Sequence, residues 1–493
     1  MMKTSLSKIM LCLMGIFIVV FSQLTLPKLF EFQFGGRFLC VLIAVCLCLL
    51  VMNVKQKNAL ARNAFLMIAI LGTAISLIKP VQYSLDEDSH LIHTIGLSDS
   101  LVFKYSKEDL ADYKLVYRHD GIRNQAHFKG TDYWLTVKHK PTKVKGKTIG
   151  FDNPAFLPGA IGWNLGRLVS KKVFVSYYLG RIVNVLAYAL LVFIAIKLSL
   201  VYKSTLYFMG TLPSAVYIIS GFHYDYLYYG ASLILIALLT NILAEKKKIT
   251  QFNALAFQGL CLLFAFAKFP FILIGSLILV LPKRYYETTK TRWGASVMFV
   301  IMMVISLIYT GIIKVMPMAG SLTGTSPGLL YFIKHPLPII RTLINIPHVI
   351  IDNFIGHPLQ YVSHQSSLLI ALNMIIFIVV LFICSTQWRY KLPLWFQIYT
   401  GALFLGIASL MIFAITGDPR VYHEGDILIG GVQGRYYYFM ITMVPVFLGY
   451  WITSKFDILP FTEREEGQFQ TVLQYIVVYL NIFTIAVGLY TQI

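Results

Sequence analysis

Apolar runs of about membrane length recur along almost the whole of this chain, each closed by polar or basic residues. A bilayer core of roughly 30 Å takes about 20 apolar residues per crossing helix, and only a helix or a closed barrel satisfies its own backbone there. Charged residues make up 13% of the chain, against about 25% in soluble proteins, and hydrophobic ones 57%. With 493 residues and a mean hydropathy of +0.70, the expectation is an all-α polytopic membrane protein. The expected spans are 6–24, 38–54, 62–79, 177–196, 205–222, 226–244, 252–267, 270–282, 295–316, 367–385, 394–415, 436–453 and 472–491, thirteen in all. The pair 252–267 and 270–282 is short, with Lys268 and Pro270 between. It reads either as two short helices or as one broken re-entrant unit.

Basic residues in short loops favour the cytoplasmic side. Lys3, Lys8, Lys55, Lys57, Arg62, Lys197, Lys203, Lys246, Lys247, Lys248, Lys283, Arg284, Lys290, Arg292, Arg389 and Lys391 all fall on one side of thirteen spans. That places the N-terminus in the cytoplasm and the C-terminus outside. The net charge of +20 is then largely a topology signal, and no nucleic-acid partner is expected. The first apolar run lacks an Ala-x-Ala-like cleavage site and reads as retained. All six cysteines lie inside expected spans, so nothing suggests an outer disulfide.

The uncommon residues gather on the outer side. Loop 80–176 carries ten of the 22 acids, opening with VQYSLDEDSHLIH, and LVFKYSKEDLADYKLV suggests short surface helices. KPTKVKGKTIG reads as a solvated or headgroup-facing loop. The second long connection, 317–366, includes LPIIRTLINIPHVII, which has the pattern of an interfacial helix. GFHYDY brings His223 and Asp225, FAKFP brings Lys268, and GDPRVYHEGDILIGGVQGRYYY brings Gln433 and Arg435. Arg181 lies about one turn below the outer surface with Asn184 on the same helix face, a costly depth unless it pairs or lines a cavity. Asp86 and Glu87 are the candidate catalytic pair, and Asp88 and Asp99 read as caps or solvated residues. His90 and His93 could join carboxylates on a metal ion, although core or surface histidines are commoner.

This mixture suits one chemistry. A carboxylate at the water–lipid boundary can take a proton from a hydroxyl, and an arginine or lysine can hold a phosphate. Together they suit attack by an alcohol on a sugar carried by a lipid phosphate. Proton-coupled transport would need ionisable groups nearer the bilayer middle, where these spans are mostly clean.

Four segments in order resemble a family of bacterial multi-span membrane proteins, domain of unknown function 2142. They are PVQYSLDEDSH with Asp86, Glu87 and His90; YYLGRIVNVL with Gly180, Arg181 and Asn184; TLPSAVYIISGFHYDYLYYG with Pro213 and Asp225; and GVQGRYYYFMITMVP with Gln433, Gly434, Arg435, Tyr436 and Pro445. KFPFIL, with Lys268 and Pro270, resembles a further element, and the likeness spans roughly 62–453. His223 and Tyr224 depart from the family pattern before Asp225, and the first two spans are an addition to its simplest form.

The resemblance implies a GT-C-like fold and a glycosyltransferase using a polyprenyl-phosphate sugar. The catalytic carboxylate is then expected in the first large external loop, at Asp86 or Glu87. Arg435, Arg181, Lys268, Gln433 and Asp225 are the expected donor contacts, and His90 a candidate metal ligand. The domain reading is an N-terminal hairpin at 1–61, a core at 62–453, and a cytoplasmic linker with a final span at 454–493. Partners would be the polyprenyl-phosphate sugar, a glycan or glycolipid acceptor, and membrane lipids. A divalent cation, Mg or Mn, could assist. A flippase for lipid-linked glycan and a non-enzymatic envelope scaffold are the alternatives.

Overall fold

The computed structural model describes residues 2–24, 36–54, 59–79, 81–82, 84, 86–99, 110–117, 131–140, 154–309, 328–359, 367–418 and 420–491. In chain order the helices are α1 (Met2–Leu24), α2 (Gly36–Val51), α3 (Leu60–Ile78), α4 (Glu87–Asp99), α5 (Ala111–Tyr117), α6 (Thr131–Thr136), α7 (Leu157–Val169), α8 (Val173–Leu198), α9 (Lys203–Gly210) and α10 (Pro213–Ile219). There follow α11 (Asp225–Leu243), α12 (Gln251–Ala267), α13 (Thr289–Tyr309), α14 (Leu329–Lys334), α15 (Leu337–Val349), α16 (Ser367–Thr386), α17 (Leu394–Ile415), α18 (Tyr438–Lys455) and α19 (Glu463–Thr491). Among the described residues only two isolated β-bridges occur, so the chain is all-α.

Among the described residues eight helices are long and apolar enough to cross a membrane: α3, α8, α11, α13, α16, α17, α18 with the turn before it, and α19. Four shorter apolar helical stretches lie in α1, in α2, in α12 and at Phe269–Ile278. The expected span 205–222 is not one helix. It is broken into α9 and α10 at Thr211–Leu212, because Pro213 has no N–H and its ring clashes with a preceding carbonyl. The described part of span 295–316 ends at Tyr309.

The short pair at 252–282 resolves into a hairpin. α12 stops at Ala267, and after Lys268 the chain continues as a 3-10 helix, Phe269–Ile278. Gln258 donates its side-chain amide to the Gly275 carbonyl at 2.9 Å, and Ile249 bridges Tyr286 at the other end, so the two limbs run back along each other. The loop 80–176 supplies α4 to α7, which cover a second small core of Leu91, Ile95, Leu110, Val116, Trp163 and Phe222. The KPTKVKGKTIG run beyond Lys140 lies outside the described residues. Beneath this layer α11 is buried along 89% of its span, whereas α13 is buried along 17%, so α11 is central and α13 peripheral.

The outer layer is fastened to α8 through a helix pair in near contact. A Cβ built on Gly166 would lie 2.2 Å from the Cα of Ser176, so any side chain there forces α7 and α8 apart. Gly467, in contrast, faces open space in α19. Gly166→Ala is expected to lower the detergent melting midpoint, as overpacking against backbone costs roughly 1–3 kcal/mol. Gly467→Ala should hold or raise it through helix propensity. A scan of both purified variants by temperature-dependent gel filtration checks the contrast.

Candidate functional site

Four breaks in helical structure and one face of a continuous helix meet at one end of the bundle. They are the turn from α3 to α4 (Lys79 to Glu87), the turn from α10 to α11 (Ser220 to Asp225), the break at Lys268, the 3-10 turn Gly434–Tyr437, and the adjoining face of α8 at Arg181. Each break exposes backbone groups that a continuous helix would satisfy, and side chains from the others satisfy them. Asn184 shows the pattern: its amide donates to the carbonyls of Ile219, Gly221 and His223 at 3.1, 3.1 and 3.2 Å.

The deeper half of the site is an ion pair. Arg181 grips Glu87 with two donors, Nε to Oε1 at 2.8 Å and Nη2 to Oε2 at 2.6 Å, and both side chains are fully buried. Arg181 Nη1 donates to the carbonyls of Ser76 and Lys79 at 3.0 and 2.9 Å. Glu87 also accepts from the backbone N–H of Phe222 at 3.0 Å and of Ser84 at 3.2 Å. Burial pushes the Glu87 carboxyl upward, but the Arg181 charge and hydrogen bonds, with Lys79 and Phe222, outweigh it and hold the group below its usual value. A Cβ on Gly221 would lie 2.2 Å from the Ser84 hydroxyl and 2.9 Å from Glu87 Oε1, so only glycine lets this turn close over the carboxylate. Lys79, buried beside the pair, donates to the Ser84 hydroxyl at 2.7 Å and to the Tyr217 carbonyl at 2.5 Å.

The shallower half is a chain of alternating charges. Lys268 Nζ lies 3.2 Å from Asp225 Oδ1, Arg435 Nη1 lies 3.2 Å from Asp225 Oδ2, and Arg435 Nη2 lies 3.0 Å from Asp86 Oδ2. Lys268 sits among the rings of Tyr224, Tyr228 and Tyr436, 4.6 to 5.0 Å from their centroids. Lys268, Asp225 and Arg435 are buried, whereas the Asp86 side chain is 51% exposed. Arg435 Nε is buried with no hydrogen-bond partner. The guanidinium edge formed by Nε and Nη2, the edge that grips an oxyanion with two parallel bonds, therefore carries one unmet donor and one donor held by the half-exposed Asp86 carboxylate.

Histidines complete this half. His223 Nε2 lies 2.5 Å from Arg435 Nη1, and its Nδ1 accepts from the Asp225 backbone N–H at 3.0 Å. A neutral imidazole has one lone pair, so these two contacts cannot both be hydrogen bonds. His90 packs edge-on to His223, with ring centroids 4.2 Å apart, and its Nδ1 lies 3.2 Å from the Phe222 carbonyl. Burial, aided by Arg435 and opposed by Asp86 and Asp225, pulls His90 down to about 4, so it is neutral at physiological pH. Burial and the neighbouring His90, Arg435 and Lys268 pull His223 down as well.

Asp86, Glu87, His90, Arg181, Asp225, Lys268 and Arg435, proposed from sequence, thus converge on one site. Gln433 precedes the Arg435 turn, and its side-chain oxygen is buried without a hydrogen-bond partner. Gly434 makes room for another backbone: a Cβ there would lie 2.6 Å from the Val349 carbonyl. His93 stacks on Phe156 at 5.1 Å. Among the described residues no group of three or more His, Cys, Asp or Glu side chains could hold a metal ion. The sequence reading passed over Lys79, although a lysine closing an apolar run directly before an acidic cluster was a legible signal.

It also passed over a second constellation. His139 bridges Asp112 at 2.6 Å and the Ser176 hydroxyl at 2.9 Å, with Arg167 on the same Asp112 oxygen at 2.9 Å. The geometry is that of a nucleophile, base and acid, but Ser176 is fully buried under α7. The arrangement ties the outer layer to α8.

The chain belongs to the DUF2142 family, described as predicted membrane proteins, whose model matches residues 65–444. No curated protein and no solved structure matches the chain.

Glu87→Gln should cost roughly 3–5 kcal/mol of stability, because it leaves the Arg181 charge buried without its counter-ion. Asp86→Asn should leave the melting midpoint nearly unchanged, since the residue is half exposed and asparagine tolerates its positive φ of 53°. A fall of equal size in both variants in detergent melting would overturn this division. A pH effect follows from His90. Its folded value lies below the ordinary 6.5, so the unfolded chain binds the proton first, and stability is lost as pH falls from 6.5 toward 4. His90→Asn should flatten that part of the curve of melting midpoint against pH.

Proposed function

We propose that this protein is a membrane glycosyltransferase of GT-C-like architecture, transferring a sugar from a polyprenyl-phosphate donor to a hydroxyl of a glycan or glycolipid acceptor. The observation that carries the reading is the Nε–Nη2 edge of Arg435, a buried bidentate oxyanion grip with one donor unmet. In this reading the chain makes thirteen passes, its N-terminus is cytoplasmic, and the site faces outside, in keeping with the one-sided basic loops.

The donor phosphate takes the Arg435 edge and displaces Asp86 from Nη2. Asp225 holds Nη1 in place meanwhile, and Lys268 adds a second positive charge behind it. The released Asp86 carboxylate accepts the proton of the acceptor hydroxyl as its oxygen attacks the anomeric carbon. The bond from that carbon to the phosphate oxygen breaks, its electron pair stays on the phosphate, and the anomeric configuration inverts. Negative charge growing on the leaving phosphate faces a preorganised guanidinium. Asp86 rather than Glu87 is the base, because Glu87 has its oxygens occupied by Arg181 and two backbone donors. Arg181 is a positioning residue, since Glu87 and two carbonyls take up its donors. Arg435, backed by Lys268, meets the phosphate's charge in this reading, and no step is routed through a divalent metal.

Competition between Asp86 and phosphate gives the reading a distinctive signature. Asp86→Asn should bind a polyprenyl-phosphate sugar at least as tightly as the native protein, yet transfer about 10²-fold or more slowly, the usual worth of a placed base. Arg435→Lys should weaken donor binding and Arg435→Ala nearly abolish it. The measurement is product formation and donor binding by purified, gel-filtered variants in detergent. Donor translocation in liposomes without any glycosidic product would favour a flippase. Native-like transfer by Asp86→Asn would remove the carboxylate from the mechanism.

A further inference from the structure

A second charged recess lies at the opposite end of α17 and α18 from Arg435. The start of α17 meets the end of α18 there, since Lys391, Leu392 and Gln397 line one recess with Tyr450, Ser454 and Lys455. Between them is a cleft of 380 Å³ whose lining includes Lys391, Lys455, Ser454, Gln397, Tyr450 and Trp451 and no acidic residue. Its walls are fixed. Arg389 donates to the Ile458 carbonyl at 2.8 Å, tying the segment before α17 to the segment after α18. Gly449 of α18 packs directly on Trp388, where a Cβ would come within 2.6 Å.

We propose that this cleft binds the headgroup of an anionic phospholipid in the leaflet opposite the Asp86–Arg435 site, the inner leaflet by the distribution of basic residues. Two ammonium groups supply the charge for a phosphodiester, and the Ser454 hydroxyl and Gln397 amide supply neutral hydrogen bonds for a glycerol or second headgroup oxygen. Tyr450 and Trp451, 37% and 59% exposed, stand where amphipathic rings line a membrane interface. Leu394, Trp395 and Ile398 leave an exposed apolar face beside the cleft, along which acyl chains can run. A soluble phosphate compound would gain nothing from that face. Basic pockets between helix ends on the cytoplasmic side are a general means of retaining anionic lipid.

The test uses the full-length protein in detergent, with native mass spectrometry and melting midpoints read on the same samples. Phosphatidylglycerol should remain bound and raise the midpoint more than phosphatidylcholine with identical chains. The double variant Lys391→Glu, Lys455→Glu should lose at least tenfold in phosphatidylglycerol retention, while Lys283→Glu, Lys290→Glu, altering exposed lysines elsewhere, should not. Brominated phosphatidylglycerol should quench the fluorescence lost in Trp451→Phe, and charge reversal should abolish that quenching. Equal retention of both lipids, equal loss in the two double variants, or equal stabilisation by soluble glycerol phosphate would each overturn the proposal.

Discussion

Arg181 and Glu87 lie 94 positions apart in the chain and share a fully buried, two-pronged contact. Taking two ions out of water costs several kcal/mol each, and the pair alone rarely repays it. Here the remaining donors and acceptors of both ions close backbone groups left open by helix breaks. Arg181 caps the carbonyls of Ser76 and Lys79 at the end of α3, while Glu87 collects the N–H groups of Ser84 and Phe222. Removing either ion would leave its partner's charge without its counter-ion and would loosen both the α3–α4 and the α10–α11 turn. The acids and a histidine of the shallower half are attached to those turns: Asp86 precedes Glu87, His223 follows Phe222, and Asp225 begins the next helix, while Lys268 and Arg435 reach them from two other breaks.

The pair also explains how two consecutive acids serve different ends. Asp86 adopts a left-handed backbone conformation, uncommon for a residue with a side chain, immediately before α4 begins. That twist sends the Glu87 carboxylate inward to Arg181 and leaves the Asp86 carboxylate half exposed against the buried Arg435. Strain of this kind persists only where neighbouring contacts over-determine it, and the Glu87 hydrogen bonds do so.

Much of this was legible in the sequence and some of it was not. Apolar runs and polar punctuation announced the helices, because a membrane imposes a length and a composition on each crossing. Asp86, Glu87, Arg181, Asp225, Lys268 and Arg435 stood out because charge beside apolar runs is costly and therefore conspicuous. Which cation met which acid was not legible, since nothing in a chain records that residue 87 will face residue 181 and residue 86 residue 435. The His139 bridge escaped for the same reason, its members being 27 and 37 residues apart. Pro213 was visible, but a single hydrophobic run hid the break it makes.

The hairpin ending at Lys268 has a consequence for the bilayer itself. At about 1.5 Å per residue in an α-helix and 2.0 Å in a 3-10 helix, its limbs of 17 and 10 residues reach only ~25 and ~20 Å. Both fall short of a hydrocarbon layer of roughly 30 Å, and in the proposed thirteen-pass topology crossings that short would be accommodated by local thinning of the lipid. Thinning there would draw the headgroup plane down toward Lys268 and, through their shared Asp225, toward Arg435. The hydrophobic mismatch would thereby shorten the climb that a lipid-borne phosphate makes out of the membrane, turning a deficit in helix length into a local depression of the membrane surface.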